Sequence, residues 1–519
     1  MSATVSRSDL PEKSGGGLSP PQPFQGRAAP KGFSRARRAG RWARRTTFLV
    51  HRWLGIVLAL LMAVWAVSGI TMMYVAFPET TREERLAGLA PLDLTGCCER
   101  ALLPPAPIEA ASVEMLLGRP VLRWRGPDGA GLASLDGAAL PAIDAAAAGR
   151  IAAAHMRAAT GGAAPAVTVA EIDRDQWTVY GRFRQYAPLY KASYADTPGT
   201  VLYVAGLTGE VVQDTSSHER FWNWLGAVPH WLYFTALREI QPLWYNLVVY
   251  ASALGVFLTV TGIYIGLVTY RRRDKRWSPY KGLALWHHWT GLAFGLFTLT
   301  WVFSGLVSMN PWGWFESQGP GEAVPNLAGR PLEPADVETL YRALAATPQA
   351  GVVSATVTVQ EGRAYAILTA RDGSKRRAAL PTLAPAPATA AELASKARLA
   401  KPTTPIASAA LIAAPDAYHY GHKGTEPVLP AYRVIYGDDE ATRLYFDART
   451  GELVNFVDSA TRGFRWWHLG LHRLDFPVLR ERPVWDAVML PLLVGVSLLC
   501  AIGAWMGVRR LRKMARKTN

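Results

Sequence analysis

The chain has 519 residues, of which 50% are hydrophobic, and its formal net charge is +16 at pH 7. This combination is unusual for a single soluble globule and indicates a membrane protein whose charges are segregated from its apolar segments. The basic tracts adjoin long apolar runs, so we expect no nucleic-acid partner for them.

The predicted elements begin with a polar tail and continue with four apolar runs, separated by two long segments and one short loop. The tail is rich in Gly, Pro, Ser and Arg, a composition typical of disorder. Each apolar run has the roughly 20 residues that a helix needs to cross a bilayer. The predicted boundaries are 1–45 for the basic tail, 46–77 for the first span, 78–241 for the first outer segment, 242–270 for the second span, 271–282 for the short loop, 283–309 for the third span, 310–484 for the second outer segment, 485–508 for the fourth span and 509–519 for the C-terminal tail.

The distribution of Lys and Arg predicts the orientation of the four spans. Residues 1–52 hold eleven basic residues, and residues 271–281 and 509–519 hold six each, with three acidic residues among all of them. Basic residues next to membrane spans stay in the cytoplasm. Both termini and the short loop are therefore expected to be cytoplasmic, and the two long segments are expected to lie outside.

The second half of the chain repeats the first. The first span reads HRWLGIVLALLMAVWAVSG from His51, and the third reads HHWTGLAFGLFTLTWVFSG from His287. The outer segments end in similar TGE tails, where Gly209 and Gly451 are expected to take positive φ. Both copies run in the same direction, which predicts a pseudo-two-fold axis along the membrane normal. Equivalent residues of the two halves should then face each other at equal depth.

The two outer segments have the sequence features of small α+β units. Ala and Leu recur at helical spacing after Ala142, Pro334 and Thr389. The alternating runs that start at Val352 and Arg363 predict antiparallel strands. The predicted fold class is thus an all-α four-helix membrane bundle with two outer α+β domains, formed by an internal parallel duplication.

His51 and His287 form the first pair of equivalent histidines, near the cytoplasmic ends of their spans. Small residues follow each of them at i+4 and i+8, on the same helical face, where a flat porphyrin would need space. The alternative explanation of those small residues is close helix packing. That alternative accounts for the glycines but leaves two imidazoles inside a membrane bundle without a purpose.

His230 and His472 form the second pair, within HWLYF before the second span and HRLDF before the fourth. The alternative for this pair is an interfacial aromatic belt with incidental histidines. Two imidazoles at each of two depths are typical of bis-histidine heme b, and such iron favours electron transfer over oxygen chemistry. The sequence therefore predicts two heme b groups, with His51, His287, His230 and His472 as the ligands of the heme iron.

Other residues near these pairs remain open as alternatives. His288 and His468 have no counterpart in the other half and are alternate ligands, propionate partners or substrate-side groups. Basic side chains close to the ligands could pair with heme propionates or contact lipid headgroups. These are Arg52, Arg462, Arg465 and Arg473.

Two further motifs have weaker predictions. His419 and His422 form a His-x-x-His motif in the second outer segment, interpreted as surface polar residues or a weak metal site. Cys97 and Cys98 are adjacent and predict no disulfide framework; they are either a redox-active pair or an exposed loop pair without a role. The chain has no Gly-x-Gly-x-x-Gly motif after a strand and no Walker motif. Electrons would therefore come from a cytoplasmic reductase or from quinol.

At these residues the chain resembles the PepSY-associated transmembrane family, over roughly residues 46–510. The resemblance rests on the His-Arg-Trp opening at His51, its copy at His287, the Ser-Gly span ends, the TGE-tailed outer domains, and the sites at His230 and His472. It implies two periplasmic PepSY-like domains, heme ligation at these four histidines and a place in the bacterial inner membrane. The family includes ferric-siderophore reductases of the ferrioxamine-reductase type.

Two classes of function follow from this comparison. The first is a heme-dependent transmembrane oxidoreductase that reduces a periplasmic acceptor, most simply a ferric siderophore, for iron release. The second is a non-enzymatic membrane module whose outer domains bind a peptide or protein client. A transporter for heme or metal is a weaker third possibility. Its usual sign is a set of helices broken at mid-membrane, and no predicted span has an internal proline apart from Pro491 in the fourth.

Overall fold

A computed structural model describes residues 31–98, 101, 103–270, 277–421 and 426–518, with side chains from residue 40 to 516. The chain divides into two compact units, Met1–Val50 and His51–Asn519. The described part of the first unit is helical from Lys31, within the range predicted as a disordered tail. All sheets and all the sites discussed below belong to the second unit.

Among the described residues, four helices are long and apolar enough to cross a membrane, and their windows of highest hydropathy are only 28–33% buried inside the protein. The helices are α1 (Lys31–Met72), α2 (Arg82–Ala87), α3 (Ala145–Thr160), α4 (Ser217–Leu225), α5 (Ala227–Trp231), α6 (Thr235–Arg238), α7 (Gln241–Thr269), α8 (Leu283–Ser308), α9 (Ala323–Ala328), α10 (Pro334–Ala346), α11 (Ala390–Ala400), α12 (Ser459–Phe464), α13 (Leu471–Arg473) and α14 (Val484–Thr518).

The long helices α1, α7, α8 and α14 share one apolar core, which includes Met62, Leu258, Trp301 and Met489. Many of their other large apolar side chains point outward, and Leu296 for example is 63% exposed. Inside a bilayer this outward surface would contact lipid tails, which are as apolar an environment as a protein core. The prediction of a helical membrane part is confirmed, in that these four helices are long and apolar enough to cross a bilayer.

The strands in the described part of the chain form three antiparallel sheets. One six-stranded sheet has the order β10-β9-β8-β1-β2-β3, and two four-stranded sheets have the orders β4-β5-β6-β7 and β11-β12-β13-β14. The strands are β1 (Ala110–Leu116), β2 (Arg119–Gly126), β3 (Gly129–Ser134), β4 (Val167–Ile172), β5 (Leu189–Tyr194), β6 (Val201–Ala205), β7 (Val211–Thr215), β8 (Val352–Gln360), β9 (Arg363–Ala370), β10 (Lys375–Ala379), β11 (Ile406–Ile412), β12 (Ala431–Tyr436), β13 (Arg443–Asp447) and β14 (Leu453–Val457).

The six-stranded sheet takes three strands from each outer segment. Strands β1 and β8 pair antiparallel at its centre, where Ser112 lies opposite Thr356. The flanking hairpins turn at Leu117-Gly118 and Glu361-Gly362, all with positive φ, as two-residue hairpin turns require. The outer segments, predicted as two separate units, are therefore joined through one sheet.

The two four-stranded sheets are alike in detail. Each has a register shift between its third and fourth strands, at Tyr203/Val204 in one and Tyr445/Phe446 in the other. The turn that follows the third strand contains Gly209 (φ 65°) or Gly451 (φ 70°), which confirms the positive φ predicted for both glycines. The α+β character predicted for the outer segments is confirmed, since helices α3 and α11 pack beside these sheets.

Candidate functional site

The structure brings together both pairs of histidines that the repeat predicts. His51 in α1 faces His287 in α8, and their ring centroids are 6.5 Å apart. His230 in α5 faces His472 in α13, with a centroid separation of 6.1 Å. Imidazole nitrogens bind transition metals at about 2 Å, so two rings that share one metal ion lie with centres about 6 Å apart. Both pairs have this spacing.

Hydrogen bonds to one ring nitrogen orient His51. Its Nδ1 lies 3.1 Å from the carbonyl oxygen of Leu258 and 3.4 Å from Oγ1 of Thr261, both in α7. A carbonyl oxygen can only accept, so Nδ1 carries the proton and Nε2 keeps a free lone pair. This is the arrangement that metal-binding histidines adopt, with the second nitrogen donating to the protein.

The outer pair is oriented in the same way by the ends of α1 and α8. Nδ1 of His230 lies 3.0 Å from both the Trp65 carbonyl oxygen and Ser68 Oγ. Nδ1 of His472 lies 3.0 Å from Ser304 Oγ. Burial lowers the pKa of His230 to about 4, against the opposing effect of the Trp65 carbonyl. The imidazole is therefore neutral at pH 7, as a metal ligand must be.

Each imidazole lies against a glycine of the neighbouring helix. A Cβ atom on Gly262 would stand 2.7 Å from Cε1 of His51, and one on Gly503 would stand 3.2 Å from Cε1 of His287. In the outer pair, the corresponding distances are 3.7 Å from Gly69 to His230 and 3.6 Å from Gly305 to His472. The glycines thus make room for the rings at the inner level, whereas a Cβ at the outer level would stand at an ordinary contact distance.

Sequence reasoning missed Gly262 and Gly503, although a signal for them exists. The second and fourth spans begin alike, with PLWYNLV from Pro242 and PVWDAVM from Pro483. The same register places Gly262 opposite Gly503, 20 residues after each proline. The carbonyl of Leu258 could not be predicted, because any residue supplies the same backbone oxygen.

The paired imidazoles suit a cofactor better than a bare metal ion. Within the described ranges, no group of three or more His, Cys, Asp or Glu side chains could hold a metal ion. Two neutral imidazoles are an incomplete ligand set for a free ion but a complete axial set for iron in a porphyrin. The donor set therefore fits heme at both levels.

The two alternate histidines differ in their surroundings. His288 is buried, with Nδ1 2.8 Å from Ser278 Oγ and Nε2 3.0 Å from the Gly266 carbonyl oxygen. Both of its nitrogens are occupied, so this ring ties α8 to α7. His468 lies in a π-helical turn (Arg465–Gly470), and its ring centroid is 5.2 Å from that of His472. Its Nδ1 lies 3.0 Å from the carbonyl oxygen of Ser304.

The two weaker motifs belong to the outer segments, and their described residues contribute no ring to these pairs. His419 is buried, stacks on Tyr445 and has Nε2 2.9 Å from the Val428 carbonyl oxygen, whereas His422 falls outside the described residues. Cys97 and Cys98 form a disulfide bond with each other. Cys98 is only 6% exposed and packs into the core of the six-stranded sheet, so the interpretation as an exposed pair is wrong for this residue.

The four arginines proposed to lie near the ligands also differ in their surroundings. Arg52 is exposed, and Arg462 donates to the Ala441 carbonyl oxygen 3.0 Å away. Arg465 is buried beside Asp475, and Arg473 follows His472 directly. Arg473 therefore lies beside the outer histidine pair, and Arg465 bonds the backbone oxygen of Asp475, three residues after His472.

No model of a known protein family matches the chain, and no curated protein is significantly similar to it.

Proposed function

We propose that this chain is an inner-membrane electron-transfer protein that holds two heme b groups. His51 and His287 would bind the inner heme, and His230 and His472 the outer one. The observation that carries the proposal is that both pairs meet at the separation expected for rings sharing one iron. Bound heme would supply one-electron transfer with both axial positions filled by protein.

The separation of the two levels supports a path across the membrane. His51 and Ser68 are both in α1, and Ser68 contacts His230. At 1.5 Å per helical residue, the 17 residues from His51 to Ser68 span about 25 Å. The hydrocarbon core is about 30 Å thick, so the two levels would lie near its two faces. Hydrogen bonds to Nδ1 orient His51 at the inner level, and His230 and His472 at the outer level.

The finer assignments of fold and location belong to the same proposal. The matching strand orders and register shifts of the two four-stranded sheets support an internal parallel duplication. The basic residues beside the spans support cytoplasmic termini, and hence periplasmic outer domains. The likeness of the His51 and His287 openings to the PepSY-associated transmembrane family supports a bacterial inner-membrane protein with two PepSY-like domains.

The acceptor that suits this arrangement is a ferric siderophore in the periplasm. Such ligands hold Fe(III) tightly and Fe(II) weakly, so transfer of one electron would release the metal. The electrons would come from a cytoplasmic reductase or from quinol in the membrane, because the sequence has no recognisable nucleotide or flavin motif.

The test is to purify the full chain from heme-replete cells and measure heme per chain by the pyridine hemochrome assay. We expect about two hemes in the wild type, with low-spin heme b spectra. His51→Ala and His230→Ala should each retain about one, because each removes one ligand from one level. His218→Ala is the control, since His218 is exposed. A colourless wild-type protein would overturn the proposal.

The second candidate function is client binding by the outer domains. It is favoured by a cavity of about 380 Å³ in the second outer segment, whose lining includes Glu316, Glu440, Asp458 and Phe456. This candidate predicts that replacing all four paired histidines leaves client binding unchanged. Loss of the cellular phenotype in that variant would instead favour electron transfer.

A further inference from the structure

Two arginines contact a single carboxylate near the outer histidine pair, and a third lies two residues before it in the chain. Nε of Arg480 donates to Asp475 Oδ1 at 2.8 Å, and Nη2 of Arg465 lies 3.4 Å from the same oxygen. The Tyr420 hydroxyl donates to Asp475 Oδ2 at 2.8 Å. The third is Arg473, which directly follows His472. We call Arg465, Arg473 and Arg480 the arginine cluster.

The arginine cluster has more donors and more charge than its surroundings satisfy. Arg465 is 5% exposed, and its Nη1 is buried without a hydrogen-bond partner. Nη2 of Arg480 is also buried without a partner. Among the described residues, no acceptor bonds the Arg473 guanidinium. Arg465 and Arg480 bring two positive charges to the single charge of Asp475, and the half-buried Arg473 adds another. Buried donors without an acceptor are costly, so an anion would complete the site.

The cluster lies beside the outer histidine pair in the chain. Arg473 directly follows His472 in α13. A lipid headgroup would need an exposed partner, whereas Arg465 is almost fully enclosed. The unsatisfied donors therefore favour binding of an anion beside His472.

In the described part of the first half, the matching positions hold no such cluster. In the register that pairs His230 with His472, the positions of Arg465 and Arg473 are taken by Asn223 and Trp231. Arg238 matches Arg480, but it packs over the Trp244 ring at 4.3 Å. The excess positive charge therefore occurs beside His472 in the second half, and the repeat does not place an equivalent beside His230.

We propose that the arginine cluster is a binding site for a carboxylate. A guanidinium presents parallel donors that match the two oxygens of a carboxylate. This carboxylate would come from a propionate of the outer heme, in which case the inference rests on the proposed function, or from a carboxylate-bearing acceptor. The structure thus assigns Arg480, which sequence reasoning had not singled out, to the same site as Arg465 and Arg473.

The experiment compares purified full-length Arg473→Gln and Arg465→Gln with Arg473→Lys and with Arg238→Gln. Arg473→Lys keeps the charge, and Arg238→Gln removes the first-half counterpart of Arg480. Three quantities are measured on each: heme per chain, the midpoint potential of each heme by optical redox titration, and citrate binding by calorimetry. A melting curve for each variant identifies any that has not folded.

If the carboxylate is a propionate, the two glutamine variants lose one heme or shift one of the two potentials to a more negative value. The negative direction follows because removing a positive charge favours the oxidised iron. Arg473→Lys and Arg238→Gln should stay close to the wild type. If the carboxylate belongs to an acceptor, heme is unchanged and citrate affinity falls at least tenfold in the glutamine variants.

Unchanged heme content, potentials and citrate binding in folded Arg473→Gln and Arg465→Gln would overturn the carboxylate site. A colourless wild-type protein would overturn the proposed heme function alone, because citrate binding can still be measured on it. In that protein, citrate binding that Arg473→Gln abolishes would support the site, and absence of citrate binding would overturn it.

Discussion

At the scale of single residues, the packing of a glycine decides whether an imidazole can hold its position. Gly262 leaves room for the His51 ring, because a Cβ atom at this position would come within 2.7 Å of Cε1. Real Cβ contacts are not this short, so Gly262→Ala must displace the ring. We expect heme per chain to fall from about two to about one, measured by the hemochrome assay.

The matched control for this change is Gly507→Ala in α14. The nearest heavy atom to its Cβ would be Ile56 Cα, at an ordinary 3.5 Å. This variant should keep both hemes, because helix propensity favours Ala over Gly and no ring has to move. If Gly262→Ala also keeps two hemes with unchanged spectra, the contact between Gly262 and His51 is not needed for ligation.

A carboxyl group in the first outer segment should make stability depend on pH. Burial, together with Glu84 and Glu219, raises the pKa of Asp214 to about 6, although Thr80 donates a hydrogen bond to it. The folded protein therefore binds this proton more tightly than the unfolded chain, whose Asp pKa is about 3.9. The stabilising contribution is fully present below about pH 4 and is lost as the pH rises through about 6.

Asp214→Asn is neutral at every pH and keeps an oxygen that can accept from Thr80. We expect it to melt at a higher temperature than the wild type at pH 7.5 and at nearly the same temperature at pH 4. Asp173→Asn is the control, because Asp173 is exposed. Equal melting temperatures of Asp214→Asn and the wild type at pH 7.5 would contradict the prediction.

Sequence reasoning was most informative for the histidines themselves. The repeat predicted which imidazoles meet, because equivalent residues of a parallel duplication lie at equal depth. It could not choose between His287 and His288 on pattern alone. Consecutive helical residues point about 100° apart, so only the packing reveals that His288 faces α7 while His287 faces His51.

At the scale of secondary structure elements, one buried carboxylate links the two outer segments. Glu114 in β1 is 1% exposed and accepts from Arg85 at 2.9 Å, from Arg123 at 2.5 Å and from Ser354 of β8 at 3.1 Å. Strands β1 and β8 come from different halves of the chain, so Glu114 holds their junction together from within.

Glu114→Gln should destabilise the outer domains, because it leaves Arg123 buried without its anion. Breaking a buried ion pair on one side typically costs about 3–5 kcal/mol. We expect a clear decrease in the melting temperature measured by circular dichroism. The comparison is Glu171→Gln, an exposed position on β4 that should melt like the wild type. A melting temperature of Glu114→Gln equal to that of the wild type would contradict the prediction.

The positions of the strands were easier to predict than which strands pair with each other. The alternating runs from Val352 and Arg363 became β8 and β9, and the helical runs from Pro334 and Thr389 became α10 and α11. The pairing of β1 with β8 joins residues more than 240 positions apart. An alternating pattern of polar and apolar residues indicates that one face of a strand is buried. It carries no information about which other strand will pair with it.

At the scale of the whole molecule, the proposed orientation makes a direct prediction for reporter fusions. Alkaline phosphatase is active only outside the cytoplasm, and green fluorescent protein is fluorescent only inside it. Because basic residues flank the spans at both termini and in the loop at 271–282, phosphatase fused after Asp214 or Asp458 should be active. The fluorescent protein fused after Asn519 should be bright. Reversed signals at these sites would refute the orientation.

The sheet at the junction also constrains what a shorter chain could do. A protein that ended before α8 would leave β1 with a row of unpaired backbone N–H and C=O groups along one edge. Such an edge pairs readily with a strand from another molecule. Because Ser112 and its neighbours accept an antiparallel partner here, two truncated chains could join edge to edge and restore six strands. Half of this protein is thus expected to dimerise or aggregate rather than persist as a monomer.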